Sequence, residues 1–478
     1  MDTLADIKII NGRLVTPDGV RQAALTATGG LITGIGTDLP EARRTIDAKG
    51  NWVLPGGVDS HAHIEQRSGM GLFNADTFET ATASAALGGT TTVISFAAQS
   101  KGERLRTTVE HYAARSRRGA RIDHAFHLSI SDTNAPDFES DLKNLADEGH
   151  RSLKVFTTYN IGLNDAQILG VLMAAREAGQ LVCVHAENDA MIAWMRAALV
   201  ARGKTAPPWH AVSRPRLAEV EAVGRICTFA EFTGTPVMLF HISTVEALGV
   251  IAATRKRGGP VWAETCPHYL LSDDNVLTRA DGGKWMCSPP QRTAEDSAAL
   301  WQGLADGTLD LVSSDHAPYR YDETGKLANG PGAPFTEIAN GLPGLQTRLP
   351  LLFDAMVSGD KGGVEAFARV TATAPADLYG LPGKGRIAAG ADADLVIWDP
   401  ARRWTYGAND LADNVGYNPW EGHSVTGWPV LVVQRGRVIV EDGKLLAEPG
   451  DGKWLERPAL GATPPAAPAP EVREMGGF

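Results

Sequence analysis

The sequence predicts an α/β protein, namely a (β/α)8 TIM-type barrel with a small β-sandwich domain built from both chain ends. Through the middle of the 478-residue chain, short apolar runs alternate with alanine- and leucine-rich helical stretches, a pattern typical of a parallel sheet. Segments at both ends are strand-like and carry Asn-Gly or Asp-Gly pairs that favour hairpins. We therefore predict β-sandwich parts at 1–55 and 386–455, a barrel at 56–385 and a flexible tail at 456–478.

The two β-rich ends resemble each other in sequence. "INGRLVTPDG" (10–19) and "RGRVIVEDG" (435–443) both contain Gly-Arg, then two apolar residues, and later Asp-Gly. We interpret them as halves of one small domain, and two unrelated β-extensions are the alternative. The tail "GATPPAAPAPEVREMGGF" (461–478) is rich in proline and alanine, so we expect it to be flexible or to reach a neighbouring subunit.

Several apolar runs of the middle segment end in polar residues. In chain order the runs are "TTTVISFAA", "DHAFHLSI", "SLKVFTTY", "LVCVHAE", "PVMLFHIS", "VWAET" and "DLVSSDHA", and the polar residues include His185, His241, Glu264 and Asp315. Ligands bind at the C-terminal ends of parallel strands, so these side chains are expected to share one mouth. The spread of the units over 56–385 favours a barrel over a doubly wound sheet, and no GxGxxG or P-loop motif indicates nucleotide binding.

Charge, hydropathy and cysteine spacing argue against several classes of protein. A net charge of −11 disfavours a nucleic-acid partner, which needs a basic surface. No apolar run approaches the roughly 18 residues of a membrane span, and the N-terminal segment carries acids without the apolar centre of a signal peptide. The four cysteines are widely spaced and typical of reduced thiols. We expect a cytoplasmic protein with no membrane and no nucleic-acid partner.

Four histidines and an aspartate have the pattern of metal ligands. His61 and His63 in "GGVDSHAHIEQ" are two residues apart, so a strand directs both imidazoles to one face. His185, His241 and Asp315 each follow an apolar run. Taken singly, an HxH pair is more often a surface pair, a strand-end histidine a core residue, and an aspartate a helix N-cap. Together, on successive strands of one barrel, they predict a metal site.

Lys154 interrupts the apolar strand "SLKVFTTY" (152–159). A buried ammonium costs several kcal/mol unless it is paired or chemically changed. Four histidines and one carboxylate are too few for two metals that share a ligand, whereas a lysine amine that adds CO2 becomes an anionic carbamate with two oxygens. We therefore predict two divalent ions and a CO2-derived carbamate on Lys154. The alternative is a lysine that reaches the barrel rim or pairs with a glutamate.

The ordered motifs along the chain resemble those of a known family. HxH, "KVF..Y", "VHAEN", "FHIST", "ETCPHYL", "SPPQR", "SSDHAP" and "NGLPG" are similar to the cyclic amidohydrolases, and most similar to hydantoinases and dihydropyrimidinases. The resemblance extends over nearly the whole chain. It implies a barrel with a composite β-sandwich, two zinc-like ions, a carbamylated lysine and ring opening of a cyclic amide or imide substrate. A homo-oligomer, a dimer or tetramer, is also expected.

The resemblance implies a role for each candidate site residue. The ligands of the more buried metal correspond to His61, His63, Lys154 and Asp315, and those of the more exposed metal to Lys154, His185 and His241. Tyr159 corresponds to a tyrosine that donates to the developing oxyanion. Ser288 and Asn340 correspond to residues whose main chain holds the ring amide, although turn chemistry beside proline and glycine explains them equally well.

The implied reaction uses a hydroxide that bridges two metals about 3.5–4 Å apart. It attacks the ring carbonyl, while the exposed metal and Tyr159 stabilise the oxyanion. Asp315 takes the hydroxide proton and passes it to the leaving nitrogen. The product from a hydantoin or a dihydropyrimidine is an N-carbamoyl amino acid.

The loop after the HxH pair departs from related patterns and leaves the ring substituent open. Glu65 stands where dihydroorotases have a substrate-binding arginine, which disfavours that activity, and the allantoinase pattern is also absent. Because Glu65, Gln66 and Arg67 are costly to bury, the loop predicts small or polar substituents over bulky aryl ones; a Glu–Arg surface pair is the alternative. Other open alternatives are another ring (allantoin, dihydroorotate or a cyclic imide), a non-catalytic scaffold, and a mononuclear deaminase.

Overall fold

The computed structural model describes residues 4–475, and its two ends join in one nine-stranded sheet. The sheet order is β17-β16-β15-β14-β5-β1-β2-β3, with β4 parallel to β1. The junction is the antiparallel pair β14–β5, in which Val396 lies opposite Leu54. The strands are β1 Ala5–Thr16, β2 Gly19–Thr28, β3 Leu31–Gly36, β4 Ala42–Asp47, β5 Trp52–Pro55, β14 Leu395–Thr405, β15 Ser424–Gln434, β16 Arg437–Glu441 and β17 Lys444–Leu445.

This sheet has a core of its own, which explains why the two chain ends fold together. Alternating residues of β1 face inward and are buried, among them Ile7 and Ile9. They pack with Val53 of β5 and with Leu395 and Val433 from the other end of the chain. Since neither half buries its apolar face alone, the composite β-domain predicted from the two similar ends is confirmed.

The middle of the chain forms eight parallel strands in the order β13-β12-β11-β10-β9-β8-β7-β6. The two edges meet through a parallel bridge between Ala62 and His316, and the main-chain N–H of His63 donates to His316 O at 2.7 Å. The predicted (β/α)8 barrel is thus confirmed. Its strands are β6 Gly57–Ala62, β7 Thr90–Ala98, β8 Asp123–Ser129, β9 Ser152–Phe156, β10 Leu181–His185, β11 Val237–Leu239, β12 Val261–Thr265 and β13 Leu311–Val312.

Helices cover the outside of the barrel and stop where the sequence provides glycine. Gly179, Gly234 and Gly307 adopt the left-handed conformation directly after α4, α7 and α10, which suits a residue without Cβ. The helices are α1 Phe78–Leu87, α2 Leu105–Gly119, α3 Phe138–Asp147, α4 Asp165–Ala178, α5 Asp189–Val200, α6 Pro208–Ser213, α7 Arg216–Thr233, α8 Val245–Lys256, α9 Pro267–Leu271, α10 Ala294–Asp306, α11 Arg348–Phe353, α12 Gly363–Ala368, α13 Ala374–Leu378 and α14 Pro470–Glu474.

Short 3-10 and π segments complete the described elements. The 3-10 helices are Asp274–Thr278, Gly282–Trp285 and Phe335–Glu337, and the π segments are Asp354–Ser358 and Arg369–Thr373. None of the helices within 4–475 combines the length and the apolar character that a membrane span requires.

The structure differs from the expected flexible tail. Within 456–475, Arg457 is buried and its guanidinium donates to Ser152 Oγ at 2.8 Å and to Phe126 O at 2.6 Å. Thr463 and Val472 are also buried. A proline- and alanine-rich composition therefore does not prevent packing here, because these few side chains find partners on the barrel. The last part of the predicted tail, 476–478, lies outside the described residues, as does 1–3 of the first β-part.

Candidate active site

A cavity of about 910 Å³ lies at the C-terminal ends of the barrel strands. Every candidate site residue singled out from the sequence lines it: His61, His63, Lys154, Tyr159, His185, His241, Ser288, Asp315 and Asn340. The residues come from segments far apart in the chain, and parallel strand order brings their ends together at one mouth.

Asp315 lies at the centre of the histidine cluster. Its Oδ1 is 2.9 Å from His61 Nε2 and 3.5 Å from His63 Nε2. One ligand atom each from His61, His241 and Asp315 lie within 4.8 Å of one another. Burial disfavours the charge of Asp315, but the neighbouring His61 outweighs it and holds the pKa of the carboxyl well below its usual range. A permanent carboxylate surrounded by imidazole nitrogens is a donor set suited to a divalent metal.

The backbone around two of these residues is strained. His241 and Asp315 adopt φ angles of 42° and 47°, in the left-handed region that side chains rarely occupy. His241 lies shortly after the end of β11, and Asp315 lies shortly after the end of β13. Such conformations cluster at functional sites, where the surrounding structure enforces them. Here they turn the imidazole and the carboxylate toward the cavity rather than along the strand.

Three side chains to which the sequence analysis gave no role at the metal site hold the histidines in orientation. Glu264 Oε1 is 2.5 Å from His61 Nδ1, and Gln66 Oε1 is 2.6 Å from His63 Nδ1. Glu187 Oε2 is 2.7 Å from His185 Nε2, and this leaves Nδ1 as the ring nitrogen available to a ligand. Groups of this kind fix the ring and tune a metal site. Their positions in the sequence hint only weakly at this role. Gln66 and Glu187 lie within three residues of a histidine, and Glu264 is a polar residue at a strand end.

Lys154 is completely buried and its ammonium has no hydrogen-bond partner among the described residues. Aromatic rings enclose it, with Nζ 3.9 Å from the ring centroid of Phe240 and 4.8 Å from that of Phe156. Among residues 4–475, no carboxylate oxygen lies within 4.0 Å of Lys154 Nζ. The side chain therefore neither reaches the barrel rim nor pairs with a glutamate. Burial lowers the pKa of Lys154 to about 8, which makes a neutral, nucleophilic amine accessible near physiological pH.

Tyr159 lies in the loop after β9, also with a positive φ of 70°. Its ring centroid is 5.3 Å from that of His185, and the Arg214 guanidinium lies 5.0 Å from the ring centroid of Tyr159. Arg214 is ion-paired with Glu187. Burial raises the pKa of Tyr159 and keeps the phenol protonated. The hydroxyl is therefore available as a hydrogen-bond donor in the cavity.

Two segments on the opposite wall carry Ser288 and Asn340. Ser288 Oγ and Asn340 Oδ1 are buried without a partner among the described residues, so both segments still have polar atoms available for a ligand. The main-chain N–H of Gly341 donates to Met286 O at 2.8 Å and ties the segments together. The buried Lys326, which the sequence analysis missed, donates from Nζ to the same Met286 O at 3.0 Å. An isolated lysine in a loop gives no sequence signal for that contact.

The loop after His63 uses its charges differently from the expectation. The Glu65 carboxylate accepts the main-chain N–H of Phe78 at 2.9 Å, at the start of α1, and lies 3.8 Å from Arg115. Glu65 is therefore paired, and its partner is Arg115 rather than Arg67. The Arg67 side chain is exposed, donates to Gly71 O at 3.3 Å and lies over the face of Phe73. Because Glu65 is already paired, the cost of burying it is not an argument against an apolar substituent on the substrate ring.

Comparison of the sequence and the fold with known proteins finds relatives that are cyclic amide hydrolases. The model of the amidohydrolase family matches residues 52–439. A D-hydantoinase of Ralstonia pickettii is 40% identical over 95% of this chain and 99% of its own. A D-phenylhydantoinase of Escherichia coli is 38% identical over 94% and 98%. The crystal structure of a dihydropyrimidinase from Brevibacillus agri superposes with a TM-score of 0.92, at 36% identity, over 96% of this chain and 99% of its own.

The barrel, its cavity and these matches define a metal-dependent enzyme that hydrolyses cyclic amides. The chain belongs to the amidohydrolase family and, within it, to the group of hydantoinases and dihydropyrimidinases. The resemblance read from the sequence motifs is thus confirmed, and a non-catalytic scaffold is not favoured.

Proposed function

We propose that this enzyme opens hydantoin or dihydropyrimidine rings and releases N-carbamoyl amino acids. The observation that carries the proposal is the convergence of four histidines, Asp315 and an unpaired buried lysine on one cavity. The similarity to a D-hydantoinase and to a dihydropyrimidinase supports the choice of ring.

The donor set suits two divalent ions, and we propose zinc. His61, His63 and Asp315 would hold the more buried ion, while His185 and His241 would hold the other. In the part of the chain that the structure describes, His241 Nδ1 and Lys154 Nζ are buried without a partner, and both are atoms that a bound metal site would satisfy. The Lys154 amine adds to CO2 and loses a proton, and the resulting carbamate would be the ligand that the two ions share. The mostly apolar pocket of Phe96, Phe156 and Phe240 suits such a metal-neutralised anion better than a free ammonium.

Bound divalent ions supply a nucleophilic water at neutral pH and polarise the ring carbonyl. The residues of the chain do the rest. Asp315, ionised because of its neighbouring histidines, accepts a proton from the attacking water and delivers it to the ring nitrogen as the C–N bond breaks. The Tyr159 hydroxyl donates to the carbonyl oxygen as negative charge develops there. The main chain at Ser288 and Asn340 binds the –CO–NH– edge and orients the ring.

The test combines metal analysis of the purified protein with a substrate panel. Hydantoin, dihydrouracil, allantoin, dihydroorotate and a cyclic imide are offered in turn, and ring opening is followed by loss of ring absorbance. We expect about two metal ions per chain and turnover of hydantoin or dihydrouracil. About one ion per chain would instead favour a mononuclear enzyme, and turnover of allantoin or dihydroorotate alone would move the proposal to another ring.

We also propose a homo-oligomer, a dimer or tetramer, in the cytoplasm. The outer face of α5 and its neighbours exposes Trp194 by 70% and Leu217 by 66%, with Met191, Val212 and Val245 also exposed. Apolar residues of this size on adjoining helices are typical of subunit contacts. The four cysteines are buried and unpaired, which supports a reducing compartment. Light scattering of the purified protein tests the assembly, with Trp194→Glu expected to weaken it.

A further inference from the structure

We propose that the mouth of the cavity binds an anionic group at the end of the ring substituent, so that substrates with an acidic side chain are preferred. The inference rests on the proposed ring-opening function and specifies its substrate class. It follows from the position of Arg67, Lys101 and Arg196, which line the cavity together.

These three cations have no carboxylate partner. Within residues 4–475, no acidic oxygen lies within 4.0 Å of any of them, whereas most arginines near the barrel are ion-paired. The acidic residues that line the same cavity are Glu65, Glu103 and Asp315, and all three are already engaged, Asp315 with His61 and His63. Glu65 pairs with Arg115 and with the first turn of α1, as described above. Glu103 accepts the main-chain N–H of Ser100 at 3.1 Å and lies 3.3 Å from His111. The free charge at the mouth is therefore positive, although the whole chain carries −11.

Arg196 is the best placed of the three to bind a ligand. It lies half-buried on α5, and within residues 4–475 its one hydrogen bond to protein is to Thr336 O at 3.3 Å. A guanidinium has five N–H donors in a planar fork that matches a carboxylate, so most of its donors remain unused. Arg196 lines the same cavity as Tyr159. An acid joined to the ring by a short chain could therefore contact Arg196 while the ring carbonyl faces Tyr159.

Apolar side chains provide room for the connecting chain. Met70, Phe73 and Ile161 line the mouth beside the cations, and Phe73 is 64% exposed. The Arg67 guanidinium lies 5.8 Å from the Phe73 ring centroid, so charge and apolar surface are adjacent here. A short aliphatic spacer that ends in a carboxylate matches both, and 5-(2-carboxyethyl)hydantoin is the simplest ring of this kind.

The test compares 5-(2-carboxyethyl)hydantoin with 5-(2-carbamoylethyl)hydantoin, which has nearly the same shape and no charge. We expect the wild-type enzyme to favour the acid by about tenfold or more in kcat/KM. Arg196→Gln should lower this acid-to-amide ratio by about 10- to 100-fold, the range for a lost hydrogen bond to a charged group. Arg196→Lys should retain part of the ratio. Arg202→Gln, the same change at an exposed position just after α5, should leave the ratio unchanged.

The outcomes distinguish failure of the anionic subsite from failure of the proposed ring-opening function. Opening of unsubstituted hydantoin with an acid-to-amide ratio of one or less in the wild type would overturn the anionic subsite alone. A high ratio that survives both Arg196→Gln and Arg67→Gln would also overturn it. A protein that opens none of the rings would overturn the proposed function, and the subsite with it. Salt should reduce the ratio, because Arg67 and Lys101 are exposed and screened.

Discussion

Replacing Lys154 with methionine should stabilise the metal-free protein while removing its activity. The wild-type ammonium is fully buried without a partner, and its pKa is about 8 instead of the ordinary 10.5. Each pKa unit corresponds to about 1.36 kcal/mol, so at pH 7 burial of the charged lysine costs roughly 3 kcal/mol. Methionine has similar length and no charge. We therefore expect Lys154→Met to raise the free energy of unfolding of the metal-free protein by about 3 kcal/mol at pH 7.

The sign of the pH dependence follows from the same pKa. Below pH 8 the lysine is charged in both folded and unfolded chains, and the full cost is present. Between pH 8 and 10.5 the folded protein holds a neutral amine while the unfolded chain still binds the proton, so the wild type gains stability relative to the variant. The advantage of Lys154→Met should therefore shrink steadily over this interval and be lost near its upper end.

The assay is urea unfolding of chelator-treated, bicarbonate-free protein at matched concentration, from pH 7 to pH 10. Lys256→Met is the matched control, because Lys256 is exposed at the end of α8, and its effect should stay within about 0.5 kcal/mol. Metal content and turnover are measured on separate portions of each protein that have not been treated with chelator, and Lys154→Met should lose both. A variant that is no more stable than the wild type at pH 7, or an advantage that does not change with pH, would refute the reasoning.

Three further substitutions test other parts of the site. Asp315→Asn should lower kcat by more than about 10²–10⁴-fold, because it removes a metal ligand as well as the proton carrier. Steady-state kinetics should show a smaller change in KM, and a near-normal kcat would contradict this role. Glu264→Gln should weaken metal binding by about 10- to 100-fold in a chelator titration, since it loosens the His61 ring, and unchanged affinity would argue against orientation by Glu264. Lys326→Met removes the hydrogen bonds from Lys326 Nζ to Gly283 O and Met286 O, so it should loosen this wall of the cavity and raise KM for the ring substrate; an unchanged KM would mean that Lys326 does not position the substrate wall.

The alternation of apolar runs and helices determined the barrel, because a periodic pattern needs only neighbouring residues. Short sequence patterns also located the candidate metal ligands. A polar residue after an apolar run lies at a strand end, and parallel strands place those ends on one side. His185, His241 and Asp315 could therefore be assigned to one mouth before any distance was known. Lys154 was identifiable for the opposite reason, since a charge inside an apolar strand conflicts with its surroundings.

Other features depended on partners that are distant in sequence. Composition predicted a flexible tail, yet Arg457 is buried against β8 and β9, about 300 positions earlier in the chain. Charge alone suggested a possible Glu65–Arg67 pair, yet Arg115 approaches Glu65 from α2 and leaves Arg67 free. Which charge is paired is decided by the helix or strand that packs nearby.

Local periodicity and short motifs were thus enough to predict the barrel, the composite β-domain and the set of candidate ligands. The folded chain was needed to show which side chains orient those ligands and which charges remain available to a substrate. Glu264 and Arg196 illustrate the difference. A carboxylate 2.5 Å from His61 and a guanidinium without an acid partner are properties of three-dimensional neighbours, and the order of residues along the chain does not encode them in any short pattern.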